Sequence, residues 1–294
     1  MRISGQQGQH LKRKKEFPID KPIRPFFQWR GGKRQLLKKM RPYLPASFNS
    51  YYEPFLGGGA MLLDLQPERA YINDVHPLVY QAFLDLRDPD KAKAIEESYL
   101  ALQDAYTPLD IPERKAKVKE YLARLNAHLR ASQNVTALFL FLTRNCFCAK
   151  FSQMKNGSFS CSWGQYAPFD RANYERAASY LQTAELTITS RDYSAALTTA
   201  GAGDFVFLDP PYSRPTATTF INYNAATFKD GEQERLAAVF RDLDAKGVYL
   251  LETNYDTPET RHWYDGFEFI PLENKTHIGV SANYAQVMIR NYTN

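Results

Sequence analysis

The stretch "YYEPFLGGGAMLLDLQPERAYIND", Tyr51 to Asp74, decides the fold. Its first part, "YYEPF" (51–55), reads as a short strand that runs into three consecutive glycines. "AMLLDL" starts a helix behind that turn, and "RAYIND" (69–74) returns as a second short strand ending in an acid. Strand, glycine turn, helix and strand together make the repeating unit of a parallel sheet. Glycines between strand and helix permit positive φ and let a ligand approach the backbone closely. Taken alone the cluster is equally a plain tight turn. No Gly-Lys-Ser/Thr follows it, so it is not a phosphate-binding loop of that kind. Asp74 suits either of two tasks, pairing with the hydroxyls of a nucleotide ribose or capping the helix that follows.

Further along, strand signals recur at "LTIT" (186–189), "DFVFLD" (204–209), "VYLLET" (248–253), "FEFIPL" (267–272) and "AQVMIRNY" (285–292). A helix over 232–245 carries Leu236, Phe240 and Leu243 on one face, and another is expected from Lys33 to Met40, stopping before Pro42. This alternation predicts a doubly wound α/β sheet, which binds ligands beyond the carboxyl ends of its strands. Between about 85 and 184 the texture is helical. Ile95, Tyr99 and Leu102 recur at helical spacing, as do Val118, Leu122, Leu125 and Leu129, and "NVTALFLFLTRN" (134–145) reads as a more buried helix. "CFCAKFSQMKNGSFSCSWG" (146–164) has turn chemistry at Asn156-Gly157 between two aromatic-polar arms, the mark of a loop or hairpin. The expected organisation is a basic tail over 1–22, a main domain from 23–84 and 185–294, and an inserted, mostly helical domain over 85–184.

At 294 residues, 44% hydrophobic and 23% charged, the chain is ordinary for a soluble protein. No apolar run approaches a membrane span, and "MRISGQQGQHLKRKKEF" lacks the apolar core of a secretory signal. Cys146, Cys148 and Cys161 are the only cysteines, an odd count without ligand spacing, so neither a disulfide framework nor a metal site is expected and the setting reads as cytoplasmic. Residues 1–41 hold 13 Lys or Arg against Glu16 and Asp20, a local +11 in a chain of net +5. That concentration suits a polyanion partner, although "KRKK" (12–15) by itself is equally a solubilising tail.

"FVFLDPPYSR" (205–214) is the most specific string. Two adjacent prolines end sheet pairing because neither donates to a backbone ladder. The Asp209 carboxylate and the Pro210 carbonyl are acceptors able to hold an amino group, and the Tyr212 ring, expected to be exposed, offers a stacking face for a planar substrate. "FFQWRGGKRQLL" (26–37) adds Trp29, two glycines and Lys33 ahead of a helix.

"QWRGGK", "EPFLGGG", "IND" and "FLDPPY", in that order with a helical insertion between the last two, resemble the Dam-like (D12 class, α group) DNA adenine-N6 methyltransferases. The resemblance covers nearly the whole chain from about Phe26. It implies S-adenosyl-L-methionine as methyl donor, with Trp29 and Lys33 at its methionine end, Phe55 and Gly57 in the glycine turn, Asp74 on the ribose and Asp209 bordering it. It also implies double-stranded DNA as partner and, should the enzyme belong to a restriction system rather than stand alone or come from a phage, a cognate endonuclease. Asp209 and Pro210 would accept the two N–H bonds of N6, and Tyr212 would stack on an adenine rotated out of the duplex. Cytosine N4 is the alternative target within the same chemistry, more often served by Ser-Pro-Pro-Tyr; protein-glutamine methylases use Asn-Pro-Pro-Tyr. A catalytically silent DNA-binding protein is the alternative of another class.

In this family the segment equivalent to 143–164 is a DNA-reading hairpin, and Arg144, Phe147, Gly157, Phe159 and Gly164 stand at matching places. Arg144, Lys150 and Lys155 are the candidates for DNA contact. "CAKFS" (148–152) replaces the Asn-Gly-Leu-x-Arg texture of the best-known, GATC-reading members, so another target sequence is expected.

Overall fold

The computed structural model describes residues 22–212, 228, 230–272 and 285–293. The basic tail read over 1–22, apart from its last residue, lies outside the described residues. Strands β1 (Tyr51–Glu53), β2 (Arg69–Asn73), β5 (Glu185–Thr189), β6 (Phe205–Leu208), β7 (Tyr249–Tyr255), β8 (Glu268–Leu272) and β9 (Gln286–Arg290) form one sheet, in the order β5-β2-β1-β6-β7-β9-β8. Pairing is parallel from β5 through β7, whereas β9 runs antiparallel between β7 and β8. Every residue of β1 and β6 is buried, as expected of central strands covered on both faces.

Two apolar layers cover the sheet. On one side Tyr193, Leu197, Leu236, Phe240, Leu243 and Tyr264 come from α8 (Tyr193–Ala196), α9 (Asp230–Asp244), α10 (Pro258–Trp263) and the turns that follow them. On the other lie α2 (Ala60–Leu65) and α3 (Pro77–Leu86), continuous with the helices of the 85–184 segment. That segment contains α4 (Pro89–Asp104), α5 (Ile111–Arg130), α6 (Thr136–Asn145), the hairpin β3 (Cys146–Gln153) and β4 (Phe159–Trp163), and α7 (Arg171–Thr183). Asp110 and Glu113 form a reciprocal capping box that starts α5. Phe139, Leu140, Phe141 and Leu142 are all fully buried, so α6 is apolar around its circumference because other helices surround it. Gly164 closes the hairpin where a Cβ would lie 2.5 Å from the Cys146 and Phe147 backbone, so only glycine fits that approach.

The expected helix from Lys33 is broken instead into a 3₁₀ turn (Lys33–Gln35), one α-turn α1 (Leu37–Met40) and a second 3₁₀ turn (Arg41–Tyr43). The α-turn does end at Met40, before Pro42, and Pro42 sits at the start of the following 3₁₀ turn, where a missing N–H costs no hydrogen bond.

Candidate active site

The carboxyl ends of β1, β2, β6 and β7 open onto one cleft of about 690 Å³, which Trp29, Lys33, Phe55, Gly57, Asp74, Asp209, Pro210 and Tyr212 all line. Strand order reverses between β2-β1 and β6-β7, with helices leaving to opposite faces. That is the topological position where an open α/β sheet leaves a crevice.

At one end stands the corner. Asp209 Oδ1 receives the Lys33 ammonium at 2.5 Å and the Thr253 hydroxyl at 2.7 Å. Both bonds fall on the same oxygen. Burial alone would push the Lys33 ammonium down, but Asp209 and Tyr212 beside it outweigh burial and hold it above its ordinary value. A bond from Lys33 Nζ to the Gly31 carbonyl, 2.9 Å, ties the ammonium to its own turn. Pro210 is buried and Pro211 exposed. Tyr212 is half-buried rather than exposed. Tyr255 approaches it edge-on at 4.8 Å between centroids, and Lys33 Nζ lies 4.8 Å from its ring centre. Its hydroxyl is buried beside Lys33 and Thr253, and burial pushes that phenol up.

The glycine turn and Asp74 form the middle of the cleft. Gly57 takes φ +50° and donates its N–H to Asp74 Oδ2 at 2.7 Å, while the His76 N–H reaches Asp74 Oδ1 at 2.8 Å. Asp74 therefore braces the turn and the cap of α3 from outside the helix; the cap residue is His76. Burial raises the Asp74 carboxyl to about 6, against the pull of those two N–H groups. Each oxygen has spent one acceptor position on the backbone and keeps another for a hydroxyl. Trp29 packs over Gly57 so closely that a Cβ there would meet its Cδ1 at 2.8 Å.

The far end is aromatic. Phe55 faces Tyr193 at 5.1 Å and Phe228 at 5.6 Å between centroids. Arg235 lies over the Tyr193 ring and clamps Asp192 through two N–H groups, at 2.6 and 3.0 Å, which holds the Asp192 carboxyl at about 2. This flat-walled box suits a planar heterocycle.

The hairpin reaches the cleft through rings. Trp29 touches His76 at 5.0 Å, His76 touches Phe159 at 5.4 Å, and Phe159 stacks on Phe151 at 5.1 Å, with Phe139 behind them. Burial lowers the His76 imidazole to about 4, so it is neutral at physiological pH. Lys150 and Lys155 are exposed on the hairpin, as is the ring of Phe147. Arg144, half-buried at the end of α6, donates to the Pro168 carbonyl at 2.7 Å, away from the two lysines. The bonds from Met154 N–H to Ser158 and from Gly157 N–H to Met154, with Gly157 at φ +80°, close the turn read at Asn156-Gly157.

Sequence reasoning missed Thr253, Tyr255, the Asp192–Tyr193–Arg235 group and the buried acids Glu53 and Glu252. One signal was available: Glu252, Thr253 and Asn254 are consecutive polar residues at the end of an apolar strand, and all three are buried. Such a run is costly unless each group is bonded to something that matters. Among the described residues no His, Cys, Asp or Glu cluster could hold a metal ion, and no helix is long and apolar enough to cross a membrane.

A mixed sheet that gathers a glycine turn, a paired acid and a carboxylate–proline–tyrosine corner into one cleft is the arrangement of a methyltransferase acting on a planar amine. The sequence matches the D12 class N6 adenine-specific DNA methyltransferases over residues 29–278, and the chain belongs to that family. It is 28% identical over 285 residues to the type II methyltransferase M1.LlaDCHI of Lactococcus lactis subsp. cremoris, covering 92% of this chain and 96% of that one. It is 28% identical over 284 residues to the DNA N-6-adenine-methyltransferase of Escherichia phage P1, covering 90% of this chain and 34% of that longer protein. With the DNA adenine methylase of Serratia marcescens it shares 27% identity over 249 residues, 83% of this chain and 88% of that one. The chain is a DNA adenine methyltransferase by family, which decides between the adenine and cytosine readings.

Proposed function

We propose that the enzyme binds S-adenosyl-L-methionine in the 690 Å³ cleft and methylates N6 of an adenine turned out of double-stranded DNA. The observation that carries this reading is the shared acceptor at Asp209 Oδ1, held by Lys33 and Thr253 in the same cleft as Asp74.

Donor binding is supported along the whole cleft. Asp74 keeps acceptor capacity for ribose hydroxyls, Gly57 lets Trp29 pack close against the turn that Asp74 holds, and Phe55 with Tyr193 and Phe228 makes a slot for a purine. Lys33 forms the end nearest Asp209, and Trp29 lines the cleft over Gly57. Bound there, S-adenosyl-L-methionine supplies an electrophilic methyl group. The chain's own residues prepare the amine. With Oδ1 occupied, Asp209 offers Oδ2, which takes no bond from the described residues, to one N–H, and the Pro210 carbonyl accepts the other. Two acceptors draw the nitrogen towards tetrahedral geometry and localise its lone pair. As positive charge develops on that nitrogen, the carboxylate is already oriented towards it. Tyr212 supplies a ring for the base, which is unreachable inside a duplex.

Lys150 and Lys155 face solvent where phosphates or base edges would pass, and the exposed Phe147 is suited to stacking on unpaired bases. Arg144 is the third candidate contact, and its bond to Pro168 fixes the base of the hairpin. The substituted "CAKFS" segment points to a target other than GATC. Type II names among the relatives make a paired restriction endonuclease the partner to seek.

The test is expression in a methylation-deficient bacterium, with N6-methyladenine mapped by single-molecule sequencing beside an Asp209→Ala control. Marks in one short motif, lost in the control, are the expected outcome. Their absence from both samples would sink the reading.

A further inference from the structure

Between Asp209 and Tyr212 the backbone offers no N–H, because both intervening residues are proline. The corner cannot be tied down through its own donors. A donor from elsewhere can tie it instead, and Gln233 provides one. From α9 its Nε2 donates to the Pro211 carbonyl at 2.8 Å, and its side chain is fully buried.

The orientation of that amide follows from its neighbours. Asn254 Oδ1 accepts from the Tyr255 N–H at 2.9 Å, which turns Asn254 Nδ2 towards Glu252 Oε1 at 3.0 Å and Gln233 Oε1 at 3.1 Å. Gln233 must therefore present its oxygen to Asn254, leaving only its NH₂ for Pro211. Tyr264 completes the chain with a 2.6 Å bond to Glu252 Oε2. Each member is buried, so each orientation is enforced by the cost of leaving a neighbour unsatisfied. Residues Thr253 and Asn254, adjacent on β7, thus reach the two sides of the corner: one directly at Asp209, the other through Gln233 at Pro211.

We propose that Gln233 is a positioning residue for methyl transfer, pinning the Pro211 carbonyl so that the Pro210 carbonyl and Asp209 converge on the reacting amine. The inference rests on the reading of this corner as the amine clamp. Gln233 touches no reacting atom; it sets the direction of groups that do. Misalignment of a near-attack geometry lowers the chemical rate more than it lowers binding.

The test compares the wild-type chain with Gln233→Glu and Gln233→Met. Single-turnover transfer of labelled methyl from S-adenosyl-L-methionine to unmethylated genomic DNA is followed from pH 5.5 to 8.5. Donor affinity by equilibrium dialysis, the KM for DNA and the melting temperature are measured alongside. Gln233→Glu keeps the acceptor for Asn254 but, when ionised, turns a carboxylate on the Pro211 carbonyl. The expected result at pH 8 is a fall of about tenfold or more in the transfer rate, with donor affinity and KM within about threefold of wild type. The deficit should shrink as pH falls, because a protonated carboxyl donates to Pro211 again. Gln233→Met should lose the rate at every pH, and it alone carries the rate-against-binding comparison should the charged variant not fold. Wild-type rates in the variants would overturn the inference and leave the clamp standing. A pH-independent deficit in Gln233→Glu that tracks a lower melting temperature would also overturn it, in favour of a purely structural role. No transfer by the wild-type chain would overturn the clamp reading itself.

Discussion

Replacing Gly57 by alanine tests the centre of the cleft. The added Cβ would lie 2.8 Å from Trp29 Cδ1 and 3.3 Å from its Nε1, at a backbone φ of +50°. Two costs add. A left-handed conformation costs a side-chain-bearing residue roughly 1–2 kcal/mol, and overpacking costs about 1–3 kcal/mol more. Trp29 cannot simply step aside, because Phe27, His76 and Phe139 meet its ring from 5.0 to 6.1 Å. The strain must displace the indole or the turn, and the turn carries the N–H that Asp74 holds. If about 2 kcal/mol of that falls on the donor-binding arrangement, the dissociation constant for S-adenosyl-L-methionine rises about 30-fold. Equilibrium dialysis with labelled donor reads this directly. Gly266→Ala is the matched control: its φ is +90° with nothing within 4 Å of the added atom, so it carries the conformational cost alone. That variant should lose about 1 kcal/mol of stability with donor affinity intact. Wild-type donor affinity in Gly57→Ala would refute the interlock of Trp29, the glycine turn and Asp74.

Further outcomes are expected at other points of the cleft. Thr253→Val removes one of two donors on Asp209 Oδ1 while Lys33 keeps the other, so the loss sits near the low end for a charged hydrogen bond, about 1.5 kcal/mol, or about tenfold in kcat measured at saturation. Donor affinity should hold above pH 7 and weaken about tenfold per unit below about 6, where Asp74 takes a proton and loses acceptor capacity; dialysis across pH 5–8 checks it. Burial raises Glu53 and Glu252 to about 8. Their folded-state values exceed the unfolded ones, so their contribution to stability is full below about 4.5 and is lost as pH rises through about 8. The melting temperature should therefore fall between pH 5 and pH 8.5, and Glu252→Gln should flatten that slope. Lys155→Ala should lower by about one the slope of log affinity against log salt for DNA, and an unchanged slope would place that lysine off the phosphates.

Much of this fold is legible in the chain because its punctuation is local. The glycine turn, the acid of "IND" and the double proline each terminate a strand by their own backbone chemistry, so strand ends could be read without tertiary knowledge. The Asn156-Gly157 turn was legible for the same reason. What escaped depends on who sits opposite. Gln233 lies on an ordinary amphipathic helix, and nothing in "GEQERLAAVF" says that one glutamine faces inward to a proline carbonyl. Asp192 looks like a routine helix cap, which it also is; only the approach of Arg235 from α9 joins it to the aromatic box. Lys33 was legible as a site residue, but its partner was not: the side chain is buried against Asp209 across a long span of sequence, and the helix expected to start there is broken where the lysine turns inward.

The ring column from Trp29 through His76 to Phe159 and Phe151 has a consequence for how such enzymes diversify. Phe151 and Phe159 are committed to packing that ends on the cleft, so a substitution at either is expected to alter the hairpin and the cleft at once. Lys150, Lys155 and Phe147 carry no such burden. Exposed positions of the two-stranded ribbon can therefore vary while its buried rings keep their packing against the cleft.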